Sequence, residues 1–255
     1  MSWVLATLAL GGAGCTGGGD AMGAAASDES GEQRGRVAYV VEIADEAGDV
    51  AESLGSDGFE TPTLLRGWVT VAGLTAMPCT DVAMDHRGFA QRAWDWLVPS
   101  AHAGHGESGL PTWQVLGSQV VPLHEVGAHD HGLADEAAEP LCRVHVLLGR
   151  AEADAPSLAT LPEEVTMARM TLHLELAWPG GVTRTVRTDV GWGIVADAAP
   201  TLPAGDGTAR VTLRPRAALV AASQGEDLAT ATDKDAGRAV LRALCEGATV
   251  AYLDE

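Results

Sequence analysis

The stretch Met170-Thr171-Leu172-His173-Leu174-Glu175-Leu176-Ala177-Trp178 decides the fold class of this chain. Apolar side chains stand at 170, 172, 174, 176 and 178, alternating with Thr171, His173, Glu175 and Ala177. A period of two sends one side-chain set into a core and the other outward, so the segment reads as a half-buried strand. Pro179, Gly180 and Gly181 follow, and residues 182–188 resume an extended polar-apolar pattern. Together they predict a β-hairpin with a glycine-bearing turn.

Outward from this hairpin the same period recurs. Val37, Tyr39 and Val41 alternate with Ala38, Val40 and Glu42, and residues 68–74 and part of 113–126 supply two further strand candidates. In 141–148, Cys142, Val144, Val146 and Leu148 share one face while Arg143 and His145 take the other. A strand over 208–214 follows the turn-rich 203–207, and 249–253 forms a short closing strand. Between those two, Thr232 or Asp233 caps a helix that lines up Ala236, Val240, Leu241 and Leu244 and stops at Gly247. About seven short strands with few helical patterns predict an all-β fold, mainly an antiparallel β-sandwich, with a short C-terminal helix. His145 and His173, on the polar sides of their strands, read as surface residues. The polar stretch 44–62 reads as a loop; 153–164, rich in Ala, Pro and acid, is either a boundary between two small β-modules or a long loop within one domain.

The first residues have a different character. Residues 3–10 are apolar, 11–14 are small and Cys15 follows, a pattern that resembles the signal peptide and lipobox of a bacterial lipoprotein. Gly12 stands where that pattern usually has leucine, and no basic residue precedes Arg34. The expectation is cleavage before Cys15, lipid on that cysteine, a flexible Gly/Ala/Ser-rich tether over 16–35 and a folded body over 36–255. That body faces the periplasm or the exterior, anchored to a membrane through the lipid. Past the N-terminus no run of eighteen apolar residues would form a spanning helix. A formal net charge of -19, with Lys234 the sole lysine, repels nucleic acid.

With Cys15 given to lipid, Cys79, Cys142 and Cys245 remain. An odd number in an oxidising compartment reads most simply as one bridge and one free thiol. A Cys79–Cys142 bridge would join neighbouring strands across a long loop, and Cys245 is an alternative partner for either. Three unpaired cysteines is the remaining alternative.

Six of the eight histidines, His86, His102, His105, His124, His129 and His131, fall between Cys79 and Cys142. The region 80–140 therefore reads as a His-rich loop. His102 and His105, separated by Ala103 and Gly104, and His129 and His131, flanking Asp130, have spacings that suit chelation; Asp130 or Glu107 would complete a shell. Neutral imidazole favours zinc and copper, so His102, His105, His124, His129 and His131 are the candidate ligands of a divalent transition metal. A solvated loop that holds no ion is the competing reading. His124-Glu125 followed by His129 has one residue too many for a zinc-peptidase helix motif, and no nucleophile elbow, P-loop or dinucleotide fingerprint occurs, so no enzyme is expected. Trp94, Trp96 and Trp113 flank the His102 segment as core residues or as an aromatic wall.

Residues 67–151, with a strand, the Trp94/Trp96 pair, the His102–His105 segment and the strand at Cys142-Arg143-Val144, resemble the methanobactin-associated copper-binding periplasmic proteins, exported bacterial lipoproteins that handle copper. The likeness covers about a third of the chain and lies in size, compartment, β-rich layout and the Trp/His-bearing segment. It implies periplasmic binding of copper or zinc for capture or handover and carries over no ligand residue by residue. Thr16, where some lipoproteins retained at the inner membrane have aspartate, makes the outer membrane the implied destination. The alternative of a different class is a cell-envelope interaction module whose loop meets a protein partner and holds no metal.

Overall fold

The computed structural model describes residues 36–44, 59–79, 114–135, 140–202 and 206–253; Cys15 and the leader and tether expected around it lie outside them. Ten strands follow in order: β1 (Arg36–Ile43), β2 (Thr63–Pro78), β3 (Gln114–Pro122), β4 (Gly127–Asp135), β5 (Leu141–Leu148), β6 (Leu172–Ala177), β7 (Thr183–Thr188), β8 (Trp192–Leu202), β9 (Gly207–Leu213) and β10 (Thr249–Leu253). Two helices, α1 (Pro215–Gly225) and α2 (Asp233–Glu246), lie between β9 and β10. The strands pair in the order β4-β1-β9-β10-β8-β5-β2-β6-β7, with β3 added on β2.

The chain is mostly β with a C-terminal helix, as expected, and most strand pairs are antiparallel, but they form one curled mixed sheet in place of the expected sandwich. β1 runs parallel to β9 from Val37/Gly207 to Ile43/Leu213, and β10 meets β8 in parallel at Val250/Ala198. Those neighbours are far apart in sequence, and alternation within a strand says nothing about which partner it takes. The hairpin at 172–188 forms as expected, β6 facing β7 from Leu172/Thr188 to Ala177/Thr183. Its turn has Gly180 at φ 92° and Gly181 at φ 86°, the left-handed region that glycine enters without penalty.

β2 organises the sheet. Along one edge it carries β3, from Trp68/Pro122 to Thr75/Gln114. Its opposite edge is shared end to end, β6 pairing over 63–69 and β5 over 71–78. An irregularity between Val71 and Gly73 marks the handover. Val69, Val71, Leu74 and Ala76 enter the main core with Val37, Tyr39 and Val41 of β1, the apolar residues of β5, β6 and β9, and the helix residues Leu219, Val240, Leu241 and Leu244. Trp68 points the other way and heads a second cluster with Val120, Ala151, Val165 and Met167. The described residues fall in one compact unit, so 153–164 separates no modules among them: the connection between β5 and β6 covers the outer face of β2.

The helices dock on this frame through identifiable contacts. Thr232 caps α2, its hydroxyl accepting from the Asp235 amide at 3.2 Å. Gly237 lies so close to Thr188 on β7 that no side chain fits between them. Arg184 of β7 donates to the carbonyls of Leu228 (2.7 Å) and Ala231 (2.6 Å) and to Asp233 (2.8 Å), tying the loop between the helices to the sheet. Across the interior, the buried Ala76 amide donates to the Tyr39 hydroxyl at 2.8 Å, and the Tyr252 hydroxyl donates to the Arg143 carbonyl at 3.2 Å.

Cys79 and Cys142 form a disulfide with Cα atoms 4.8 Å apart, and Cys245 is a buried free thiol whose pKa burial pushes up to about 12. The bridge spans 63 residues of sequence. In the loop-entropy picture a closure of that length stabilises by about 4 kcal/mol. Two outcomes follow for chemical unfolding. Replacing both cysteines by serine should lower stability by roughly 2–5 kcal/mol. Tyr39→Phe should lower it by about 1–3 kcal/mol, because it strips the buried Ala76 amide of its hydroxyl acceptor.

Candidate functional site

The described part of the expected His-rich loop is not a loop. Residues 114–122 and 127–135 are β3 and β4, joined by a short turn. These strands approach each other at Val115 and Gly132, 3.0 Å from the Val115 Cγ1 to where a Cβ on Gly132 would stand, without pairing as a ladder. β3 spends its polar groups elsewhere. The Val120 amide donates to the Ser157 hydroxyl at 2.9 Å, and the Ser118 hydroxyl accepts from the Glu152 amide at 2.8 Å. Ser157 belongs to the 3-10 turn Pro156–Thr160, which thus blocks further pairing at Val120.

The result is a cleft of about 860 Å³ bounded by β3, β4, that turn and the start of β2. His124, His129 and His131 line it with Glu125, Asp130, Gln119, Arg66 and Trp68. Three of the five expected ligands therefore border one space; His102 and His105 lie outside the described residues, as do His86, Glu107, Trp94 and Trp96.

The register of β4 explains how two of its histidines reach the cleft. His129 opposes Val41, so its ring shares the side of a fully buried core residue. The pairing then slips: Asp130 opposes Val40 and Gly132 opposes Tyr39, which makes His131 the extra residue of a β-bulge. Gly132 sits at φ 138°, a conformation L side chains rarely adopt. Asp130, exposed and opposite Val40, lines the same cleft as the two rings.

The ring nitrogens differ in their partners. His131 Nδ1 lies 3.0 Å from Gln119 Oε1. His124 Nδ1 lies 3.0 Å from the Gly67 carbonyl and 3.3 Å from the Gly67 amide, with Nε2 3.5 Å from Glu125. The Nε2 atoms of His129 and His131 are both buried without a hydrogen-bond partner. Desolvation lowers the His131 pKa to about 4, so this ring is neutral at neutral pH, the form that ligates metals. Among the described residues no three His, Cys, Asp or Glu side chains stand together as a ready metal cage.

Behind the cleft lies a cluster that the alternation pattern misjudged. His173, expected at the surface, is 1% exposed. The β5–β6 connection covers the outer face of its strand, and the Trp68 ring packs edge-on against it at 5.5 Å and against His124 at 4.9 Å. Arg66 grips Glu175 through Nε (2.9 Å) and Nη2 (3.0 Å) and reaches Glu164 through Nη1 (2.8 Å). Neither nitrogen of His173 is hydrogen-bonded; its Nε2 is 3.7 Å from Glu175. His145 is partly buried on β5, facing Val195 of β8, so it too departs from the surface reading.

Desolvation lowers the pKa of His173, helped by Arg187 and opposed by Glu175, and it lowers that of His145. Each ring therefore binds its proton less readily folded than unfolded. The sign follows: unfolding takes up protons once pH drops below the unfolded value near 6.5, so stability present above that pH is lost as acid is added. Denaturant unfolding at pH 7 and pH 5 should show lower stability at pH 5, and His173→Gln should narrow that difference.

The chain matches no known protein family, no curated protein and no solved structure.

Proposed function

We propose that this protein is an exported, lipid-anchored binder of a divalent transition metal, copper or zinc, which it captures or hands over at the cleft between β3 and β4. The observation that carries this reading is the pair of buried, unpartnered Nε2 atoms on His129 and His131, two residues that line one cleft. A buried polar atom without a partner costs free energy, and a cation that accepts the lone pair removes that cost. Imidazole nitrogen suits zinc and copper better than magnesium or calcium. Two imidazoles do not complete a coordination shell, so His124, His102 and His105 are the proposed further ligands, with water at any open position.

The Cys79–Cys142 disulfide supports an oxidising compartment, the periplasm or the exterior. Cys15 is the proposed lipid attachment, with the outer membrane the proposed destination. A second reading, an envelope protein-contact module that holds no metal, has one observation in its favour. Leu65 and Val126, 48% and 68% exposed, border a small depression beside Pro215.

Elemental analysis and titration calorimetry of the purified chain with Cu²⁺ and Zn²⁺ test the metal reading. Close to one equivalent should bind the parent, and the His129→Ala/His131→Ala variant should lose it. A His102→Ala/His105→Ala variant should weaken binding in proportion to the ligands it removes. Equal, weak uptake by parent and variants would sink the metal reading and leave the protein-contact one.

A further inference from the structure

We propose that Gln119 is a positioning residue of this metal site, selecting the tautomer in which His131 presents a bare Nε2 to the cation. The inference rests on the metal reading above and deepens it. A neutral imidazole has one donor and one acceptor nitrogen, and the partner of one decides the role of the other. At 3.0 Å, Gln119 Oε1 accepts a hydrogen bond and so requires the proton on Nδ1. The lone pair is left on Nε2, which is buried and has no hydrogen-bond donor to meet it.

The placement is enforced by backbone geometry. Gln119 sits on β3 opposite Val71, and His131 is the bulged residue of β4, so the contact joins two strands that approach without forming a ladder. His129, which lines the same cleft, carries a second buried Nε2 without a partner. A pair of lone pairs with one of them oriented by an amide oxygen is the arrangement in which metal-ligating histidines are held by an outer partner.

The experiment uses the metal-free chain with ¹⁵N-labelled histidine, read by long-range ¹⁵N–¹H NMR, together with Zn²⁺ competition against a chromophoric chelator. The variants are Gln119→Met, which keeps length and removes the acceptor, and Gln119→Glu, which keeps an acceptor oxygen. The parent should show His131 protonated on Nδ1. Gln119→Met should lose that preference and weaken Zn²⁺ binding by roughly 10–100-fold, and Gln119→Glu should restore both. A parent protonated on Nε2 would overturn the proposal, because the amide would then face the ring with its nitrogen. Unchanged Zn²⁺ affinity in Gln119→Met would overturn it as well. If the tautomer is as expected but the parent binds no Zn²⁺, the metal reading fails and the positioning role fails with it, the NMR result separating this case from a wrong tautomer.

Discussion

β2 is hydrogen-bonded along nearly the whole of one edge and along residues 68–75 of the other, and three different strands share that task. β3 occupies one edge while β6 and then β5 occupy the other, with the irregularity at Val71/Gly73 where β6 gives way to β5. Because successive side chains of a strand point to opposite faces, this one strand feeds two cores. Val69 and Val71 go inward to meet β1, β9 and the helices, and Trp68 goes outward to meet Val120, Ala151 and Met167. The cover over 151–170 follows from the same arrangement, since an outward tryptophan needs apolar surface laid over it.

The cleft is a consequence of what β3 and β4 do with their remaining edges. Closing the curl would require a ladder between them. Ser157 takes the Val120 amide, and the bulge at His131 breaks the regular spacing of β4. The two strands therefore touch through side chains, and the space between them fills with polar groups. Most of those groups are satisfied locally. The Nε2 atoms of His129 and His131 are not, and a buried polar atom left unmet beside a cleft is where a binding site is to be sought.

Electrostatics around the cleft divide by depth. At the rim, Arg66, Glu164 and Glu175 form a solvent-screened ion-pair network, which orders side chains while contributing little to stability. Deeper in, desolvation keeps His131 and His173 neutral. Trp68 packs between His124 and His173, so the aromatic ring that anchors the second core also fixes one wall of the site. Stability of the cover and shape of the cleft are in this way one problem for the chain.

Local patterns determined the elements whose burial is one-sided. The hairpin at 172–188, the alternation of Val37, Tyr39 and Val41, the strand from Leu141 and the capped helix after Thr232 could all be read from period and capping alone. β4 escaped because Gly127, His129, Asp130, His131 and Gly132 give no apolar alternation, and β8 because only Ala198 and Leu202 of its residues are buried. α1 carried a readable signal, Pro215 at its first position ahead of an Ala/Leu/Val run. The grouping of His124, His129 and His131 was legible as composition, whereas their shared cleft, the partner of each ring nitrogen and the burial of His173 were not. Pattern along a strand reports that one face is buried. Which strand pairs with which, and what lies over the second face, is decided by hydrogen bonds and apolar contacts between residues far apart in sequence, and only the tertiary structure brings those together.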